Sequence, residues 1–428
     1  MKYDFDSYFY YEYSKNVPFT VRIRVTMTEP VDGQALKLSA QKAFARFPYF
    51  SRKTRLDESG GYVLEPNDKP ISVLPEAEKM PSLGSAEVNE HLFSITYEDY
   101  NIYFNFSHSI CDATGAMFWI KATLWQYLTD TTGETLDSTG IRIPGSPMEE
   151  GETALPDPNA LPKDKPMSMY NGGNSYMPLG DYLKYYLNPF AKDAVYFPME
   201  MDLQSVLKYA KENDGSPNSI LAAFMFKAVC RLWDSNKKVT QISAAIAKNY
   251  RNDVGCPNTY RNLVRLLHAK YTKDMKDWPV EKLSTLTRGS MYMQMEPEIG
   301  CLEYRNYRSR IEEIDAKPTL KGKCKYATST SVFRKGIRDS FNISYVGKVD
   351  WGDMEKYIAA VHTISDGHLM LEVNVVGDKL FVNFQQVNRK REYLDAFLNV
   401  LKEENIKVTL GEMKEKRLPK ISLQKKSV

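Results

Sequence analysis

Apolar residues along the first third of the chain recur with the two spacings that distinguish strands from helices. The stretch 19–26 alternates apolar and polar residues, which predicts a half-buried strand. A helix should begin after Asp32, a good N-cap, because Leu36, Ala40 and Phe44 recur at helical spacing. Further strands are predicted around 62–65, 92–96 and 102–108, and a further helix over 116–128.

Prolines concentrate between positions 144 and 190, which hold eight of the 22 prolines of the chain. Proline lacks a backbone N–H and interrupts both helices and strands. We therefore predict a crossover segment at 144–190, between an N-terminal lobe at 1–143 and a C-terminal lobe at 191–428. Two units also agree with the length of 428 residues, since single cores stop growing at roughly 250–300 residues.

The C-terminal half mixes strand-like and helical patterns in the same way. A strongly apolar helix is predicted over 220–233, capped by Asn218 and Ser219, and a strand over 239–248 leads into a polar loop at 249–262. Further helices are predicted at 203–211, 278–295 and 392–404, and further strands around 341–346, 368–376 and 379–385. Together these patterns predict an α/β protein of two similar lobes, each a mixed β-sheet flanked by helices.

Composition and charge exclude several classes of function. With 43% hydrophobic and 26% charged residues the chain is an ordinary globular protein, and a net charge of +3 is too small to indicate nucleic acid or an anionic membrane as partner. No apolar run approaches the roughly 18 residues of a transmembrane segment, and no secretory signal is recognisable. The five cysteines contain no Cys-x-x-Cys pair, which disfavours structural zinc and fits the cytoplasm. We expect no bound metal.

The strand at 102–108 ends in His108, the residue that carries most information about function. Ile102, Phe104 and Phe106 share one face of this strand with His108. We therefore expect a partly desolvated imidazole that is neutral at pH 7, as a general base requires. The alternative is a core histidine bonded to a backbone carbonyl.

Two residues shortly after His108 have competing interpretations. Asp112 could orient the imidazole, or it could cap the following helix and pair with a buried arginine; the structural role is favoured, because Asp at a helix start needs no further explanation. Cys111 could act as a nucleophile with His108, but a strand-to-turn segment rarely brings two such neighbours together.

The segment 107–119 reads His-x-x-x-Asp, with Ala113 where the motif usually continues with glycine. It resembles the active-site motif of the chloramphenicol acetyltransferase-like superfamily, which includes peptide-synthetase condensation domains, plant acyl-CoA-dependent acyltransferases and wax-ester synthases. The segments 31–50, 249–262 and 343–349 resemble further stretches of bacterial alcohol acetyltransferase-like members, in the same order. The resemblance covers most of the chain outside the proline-rich crossover.

The resemblance implies an active-site channel between the lobes, with His108 inside it. His108 would take a proton from an alcohol or amine as that atom attacks an acyl thioester, most simply acetyl-CoA, which acts as co-substrate; no bound cofactor is needed. Ser344 is the candidate oxyanion donor, the alternative being a strand serine bonded to backbone. Tyr345 and Gly347 are the candidate substrate-binding residues.

The same resemblance leads us to expect a buried pair between Asp112 and Arg251, with Arg46 and Arg52 as alternative partners. The chain departs from the superfamily pattern at three positions: Ser107 replaces a histidine of many condensation domains, Ala113 replaces the motif glycine, and Tyr345 stands where asparagine is frequent.

Three hypotheses of function follow. The first is acyl transfer from a CoA thioester to a small alcohol. The second is a condensation-type reaction that uses a separate acyl or peptidyl carrier protein and an amine or alcohol acceptor. The third is a catalytically inactive binding protein of the same fold, which the departures at Ala113 and Tyr345 favour and the retention of His108 with Asp112 disfavours. We expect a monomer.

Overall fold

The computed structural model describes residues 6–14, 16–157, 159–161, 175–178, 193–233, 239–330, 339–345 and 347–423. Much of the predicted crossover, including its prolines at 158, 162, 166 and 189, lies outside the described residues. The helices are α1 (Tyr8–Glu12), α2 (Gly33–Phe44), α3 (Ala113–Thr132), α4 (Leu203–Glu212), α5 (Pro217–Arg231), α6 (Val280–Gln294), α7 (Pro297–Asp315), α8 (Leu320–Thr330) and α9 (Glu392–Glu403). The strands are β1 (Thr20–Met27), β2 (Arg52–Leu56), β3 (Tyr62–Pro66), β4 (Val73–Pro75), β5 (Phe93–Glu98), β6 (Asn101–Ser107), β7 (Val195–Asp202), β8 (Gln241–Asn249), β9 (Val264–Thr272), β10 (Phe341–Tyr345), β11 (Ile358–Ile364), β12 (Leu369–Val376), β13 (Lys379–Gln386), β14 (Thr409–Leu410) and β15 (Lys414–Glu415).

The first lobe is built on a mixed sheet in the order β11-β1-β6-β5-β4. The pairs β1–β6 and β5–β6 are antiparallel, whereas β4 runs parallel to β5. Apolar residues of β1 and β6 pack into one core with those of α2 and α3. The edge strand β11 comes from the predicted C-terminal lobe and pairs antiparallel with β1. The boundaries at 144 and 190 stay a prediction. The strand β11, which lies beyond them in the chain, returns to complete this sheet.

The second lobe contains a larger mixed sheet in the order β14-β7-β13-β12-β10-β8-β9, with β15 also paired to β7. Within this sheet β10 runs parallel to both of its neighbours, β8 and β12. The apolar helix α5 packs against α6 and α9 and fills a second core. The predicted architecture, two lobes that each hold a mixed sheet flanked by helices, is confirmed.

Most of the predicted elements form close to their expected positions, and one predicted cap is wrong. Asp32 caps α2, accepting hydrogen bonds from the N–H groups of Gln34 and Ala35. The cap of α5 is Ser216 rather than Asn218 and Ser219, because Pro217 is well suited to the first helical position. Ser219 lies one turn into the helix, where its hydroxyl accepts the Ser216 N–H in a reciprocal capping pair.

Candidate active site

His108 directly follows β6, at the edge of the first core. Its backbone N–H donates to the carbonyl of Phe19, 2.9 Å away, which fixes the chain where it leaves the sheet after β6. Phe19 holds a left-handed φ of 53°, a conformation that is strained for a bulky residue. The imidazole is half-buried and packs on the ring of Phe9 from α1, with ring centroids 5.5 Å apart.

The surroundings of the imidazole favour its neutral form. Burial lowers the pKa of His108 below its usual 6.5, while the Asp112 charge acts in the opposite direction. Nδ1 is buried and makes no hydrogen bond of normal geometry within the part of the chain that the structure describes. A neutral ring can accept a proton at pH 7, which is the chemical requirement for a general base.

Asp112 and Arg251 form a buried bidentate ion pair between the lobes. Nη1 of Arg251 lies 2.9 Å from Oδ2 and Nη2 lies 2.7 Å from Oδ1. The carboxylate also accepts the N–H groups of Gly115 at 2.8 Å, as the cap of α3, and of Leu263 at 2.9 Å. Because these four bonds occupy both carboxylate oxygens, the geometry supports a structural role for Asp112.

Arg251 continues this network into the second lobe. It donates to the carbonyls of Thr259 at 2.9 Å and Arg261 at 2.6 Å, so one guanidinium closes the loop that sequence analysis placed at 249–262. Asn262, at the end of that loop, brings its amide nitrogen to 3.5 Å from the carbonyl oxygen of His108. The loop of one lobe therefore meets the catalytic candidate of the other.

The alternative partners for Asp112 lie elsewhere. Arg46 binds the buried carboxylate of Glu152 through two bonds of 2.9 and 2.6 Å. The guanidinium of Arg52 lies 5.8 Å from the ring centroid of Tyr49. Arg46 as partner is therefore wrong, because a closer carboxylate takes up its charge.

Two small residues after His108 explain how the motif tolerates alanine in place of its usual glycine. Ala113 is the first residue of α3 and has no left-handed conformation, so its Cβ causes no strain. Gly115 lies in the first turn of α3. A Cβ at Gly115 would lie 2.0 Å from the carbonyl oxygen of Tyr260, so the close approach of the second-lobe loop requires glycine there.

The other predicted site residues lie on or just after β10. Ser344 bonds to the buried carboxylate of Glu372, which also accepts the hydroxyl of Ser365 and interacts with the positive charge of Lys416. Tyr345 is half-buried against the second core, and Gly347 adopts a φ of +83° beside open space. Among the described residues no contact joins these three to His108.

Sequence analysis missed several residues of this region. Phe9 and Asn262 both touch His108, and only Asn262 belonged to a segment that had been singled out. Glu152 is 1% exposed and receives Arg46, Arg142 and the hydroxyl of Tyr260. It tethers the start of the predicted crossover to both lobes, and nothing in its local sequence indicates this.

Other chemistries find little support in this region. Cys111 is fully buried, and burial raises the pKa of its thiol well above the usual range, so a thiolate is disfavoured. Within the described ranges no cluster of three or more His, Cys, Asp or Glu side chains is placed to bind a metal ion. No described helix combines the length and apolar character required to cross a bilayer.

Sequence comparison finds no matching family model and no matching curated protein. Structure comparison finds many similar proteins. They include TRI101 of F. graminearum in complex with coenzyme A and deoxynivalenol (10% identity, 94% of this chain and 98% of that chain covered, TM-score 0.59). Another is polyketide synthase associated protein 5 of Mycobacterium tuberculosis (12% identity, 89% of this chain and 92% of that chain covered, TM-score 0.56). A third is the first condensation domain of the CDA synthetase (11% identity, 90% of this chain and 90% of that chain covered, TM-score 0.54). The chain therefore has the fold of the chloramphenicol acetyltransferase-like superfamily.

Proposed function

We propose that the protein is an acyltransferase in which His108 is the general base. The donor is an acyl thioester, most simply acetyl-CoA, and the acceptor is a small alcohol. The observation that carries this proposal is the half-buried, neutral imidazole at the end of β6, where the loop containing Arg251 and Asn262 meets it from the other lobe.

The reaction follows from the properties of this imidazole. His108 removes the hydroxyl proton as the acceptor oxygen attacks the thioester carbonyl, and a tetrahedral oxyanion forms. When this intermediate collapses, the carbon–sulfur bond breaks and the imidazolium returns its proton to the thiolate. The products are the ester and the free thiol, with no covalent enzyme intermediate. Ser344 is the proposed donor to the oxyanion, which requires its hydroxyl to leave Glu372.

The structural neighbours support a thioester as the donor but differ in its carrier. TRI101 structures contain coenzyme A together with T-2 toxin or deoxynivalenol, whereas other neighbours are condensation domains of a polyketide synthase and of the CDA synthetase. We favour coenzyme A and an alcohol, with a carrier-protein thioester and an amine as the alternative. We further expect a cytoplasmic monomer.

Thiol release from acetyl-CoA in the presence of an alcohol panel tests the proposal. The expected result is acceptor-dependent release that His108→Ala removes. Turnover only with a phosphopantetheinylated carrier would establish the alternative donor. Binding of an acceptor without turnover by either donor would favour the inactive binding protein.

A further inference from the structure

Phe9 of α1 lies directly against His108. The residue is only 8% exposed, and its ring centroid lies 5.5 Å from that of the imidazole, with the two ring planes inclined by 31°. Nδ1 of His108 is itself buried, which leaves Nε2 as the nitrogen that exchanges a proton with a substrate. Phe9 therefore packs on the ring that the proposed reaction protonates.

Two contacts hold α1 in place, although a helix of five residues has little stability of its own. The hydroxyl of Tyr10 accepts a hydrogen bond of 2.7 Å from Ser109, the residue that follows His108. The carboxylate of Glu12, which is almost completely buried, forms an ion pair with Arg310 of α7. Because these contacts fix the helix on both sides of Phe9, its ring has a defined position beside the imidazole.

Phe19 supports Phe9 and is held in a strained conformation. The two ring centroids are 4.8 Å apart. A φ of 53° is costly for a bulky residue and persists only where the surrounding structure enforces it. The N–H groups of Phe19 and Thr20 donate to the carboxylate of Asp366, while the Phe19 carbonyl accepts the N–H of His108 at 2.9 Å. One strained residue therefore fixes both the His108 backbone and the ring that packs on its side chain.

The surroundings of Phe9 are apolar and come from both halves of the chain. Phe9, Val17 and Phe19 form one buried cluster with Val387, which directly follows β13 of the second sheet. All four side chains are apolar, and an apolar enclosure of this kind does not hold ordered water. This side of His108 is therefore screened from water, which agrees with the lowering of its pKa by burial.

We propose that Phe9 is a positioning residue that fixes the imidazole of His108 and keeps water out of the reacting centre. This inference rests on the proposed function. Water competes with the alcohol for the same thioester carbonyl. Its attack, with loss of a proton to His108, breaks the carbon–sulfur bond and gives a carboxylic acid and the free thiol. An apolar ring against the base leaves no place for a bound water, so the acyl group passes to the acceptor instead.

Histidine NMR titration tests the positioning without turnover. Phe9→Leu, Phe9→Val and Phe9→Ala shorten the side chain in steps, so the midpoint of the His108 titration should rise in that order toward 6.5. The charge of Asp112 also acts on the ring, and its bond to Arg251 of the 249–262 loop is the same in each variant. The valine variant provides the comparison if the alanine variant does not fold. A midpoint that stays at the wild-type value would overturn the proposal.

The fraction of thioester lost to hydrolysis tests the exclusion of water. With acetyl-CoA and an alcohol, Phe9→Ala should raise the ratio of carboxylic acid to ester. It should also lower kcat by up to about 10²-fold, the cost of misplacing a catalytic group by about 1 Å. Phe9→Leu keeps most of the apolar volume and should restore both quantities most of the way. An unchanged product ratio in Phe9→Ala would refute the exclusion of water by this ring.

Phe381→Ala is the matched control. Phe381 is 3% exposed, and its ring centroid lies 5.3 Å from that of His362, a second buried pair of a phenylalanine and a histidine outside the proposed site. The control should lower the melting temperature, as Phe9→Ala does, and leave the His108 titration and the product ratio unchanged. Equal changes in both variants would indicate general loosening and overturn the proposal. A shifted His108 titration in Phe9→Ala, with no acyl transfer by the wild type, would support the positioning role and count against the proposed function alone.

Discussion

Arg251 and Asp112, 139 positions apart in the chain, are joined by two hydrogen bonds of 2.9 and 2.7 Å between opposite lobes. The same aspartate caps α3, which begins immediately after the His108 turn. One carboxylate therefore ties together a helix start and the 249–262 loop. Both side chains are almost completely buried, so solvent does not weaken the pair.

Asp112→Asn should destabilise the protein strongly. The substitution leaves the buried Arg251 charge without its carboxylate, and breaking such a pair by removing one partner costs about 3–5 kcal/mol. Thermal unfolding measures the effect. Asp32→Asn is a suitable control because this aspartate also caps a helix but lies near the surface, and Asn is an equally good cap. An unchanged melting temperature for Asp112→Asn would contradict the structural role.

His108→Ala should remove most of the rate and little of the stability. General-base catalysis contributes on the order of 10²–10⁴-fold, and within the described residues the buried Nδ1 of the ring makes no hydrogen bond of normal geometry. Steady-state kinetics and a melting curve measured together check both parts. His268→Gln is the control, since this histidine lies on β9 of the second sheet, contacts Asp339 and is outside the proposed site. A wild-type rate in His108→Ala would eliminate the catalytic role.

The acid limb of kcat/KM should lie below pH 6.5. Burial lowers the pKa of His108, so the ring loses its basic form only when the pH falls through that lowered value. The base is therefore fully active at pH 7, and activity decreases toward acid pH with a slope of one proton. A pH–rate profile over 4–9 measures this limb. A midpoint above 6.5 would show that the ring is not desolvated.

Ser344→Ala should lower kcat by about 10²–10³-fold if its hydroxyl stabilises the oxyanion, with little effect on KM. Because Ser344 also bonds to Glu372, the loss of that bond needs a separate control. Ser365→Ala removes the other hydroxyl donor to the same carboxylate. Equal losses of kcat in the two variants would assign the effect to Glu372 and remove Ser344 from the mechanism.

Glu372→Gln should stabilise the protein at pH 8 and much less at pH 5. Burial raises the pKa of Glu372 from 4.5 to about 7, so the folded state holds a proton that the unfolded state releases. The stability contributed by this group is complete below pH 4.5 and is lost as the pH rises through about 7. Melting temperatures of the wild type and the variant across this range measure it. Glu312→Gln, on an exposed position of α7, is the matched surface control.

Local sequence patterns predicted most of the elements and the region of the candidate site. The alternation at 102–108 placed His108 correctly at a strand end, and the superfamily motif directed attention to Asp112 and Arg251. Such features succeed because the strand periodicity and the cap chemistry are contained within a few neighbouring residues.

The features that were missed depend on residues distant in sequence. Glu152 becomes important only because Arg46 and Tyr260 converge on it from both lobes. Gly115 is required because the carbonyl of Tyr260, from the other lobe, lies where a Cβ would stand. Local patterns contain no information on such long-range packing.

The return of β11 into the first sheet has a consequence for biosynthesis. During translation the first 143 residues emerge with β1 as an unprotected edge, since its neighbour β11 is made only after residue 358. The N-terminal lobe thus cannot mature independently on the ribosome, and an isolated 1–143 fragment should associate through its open β1 edge. Both halves of the protein reach their final form together, late in synthesis.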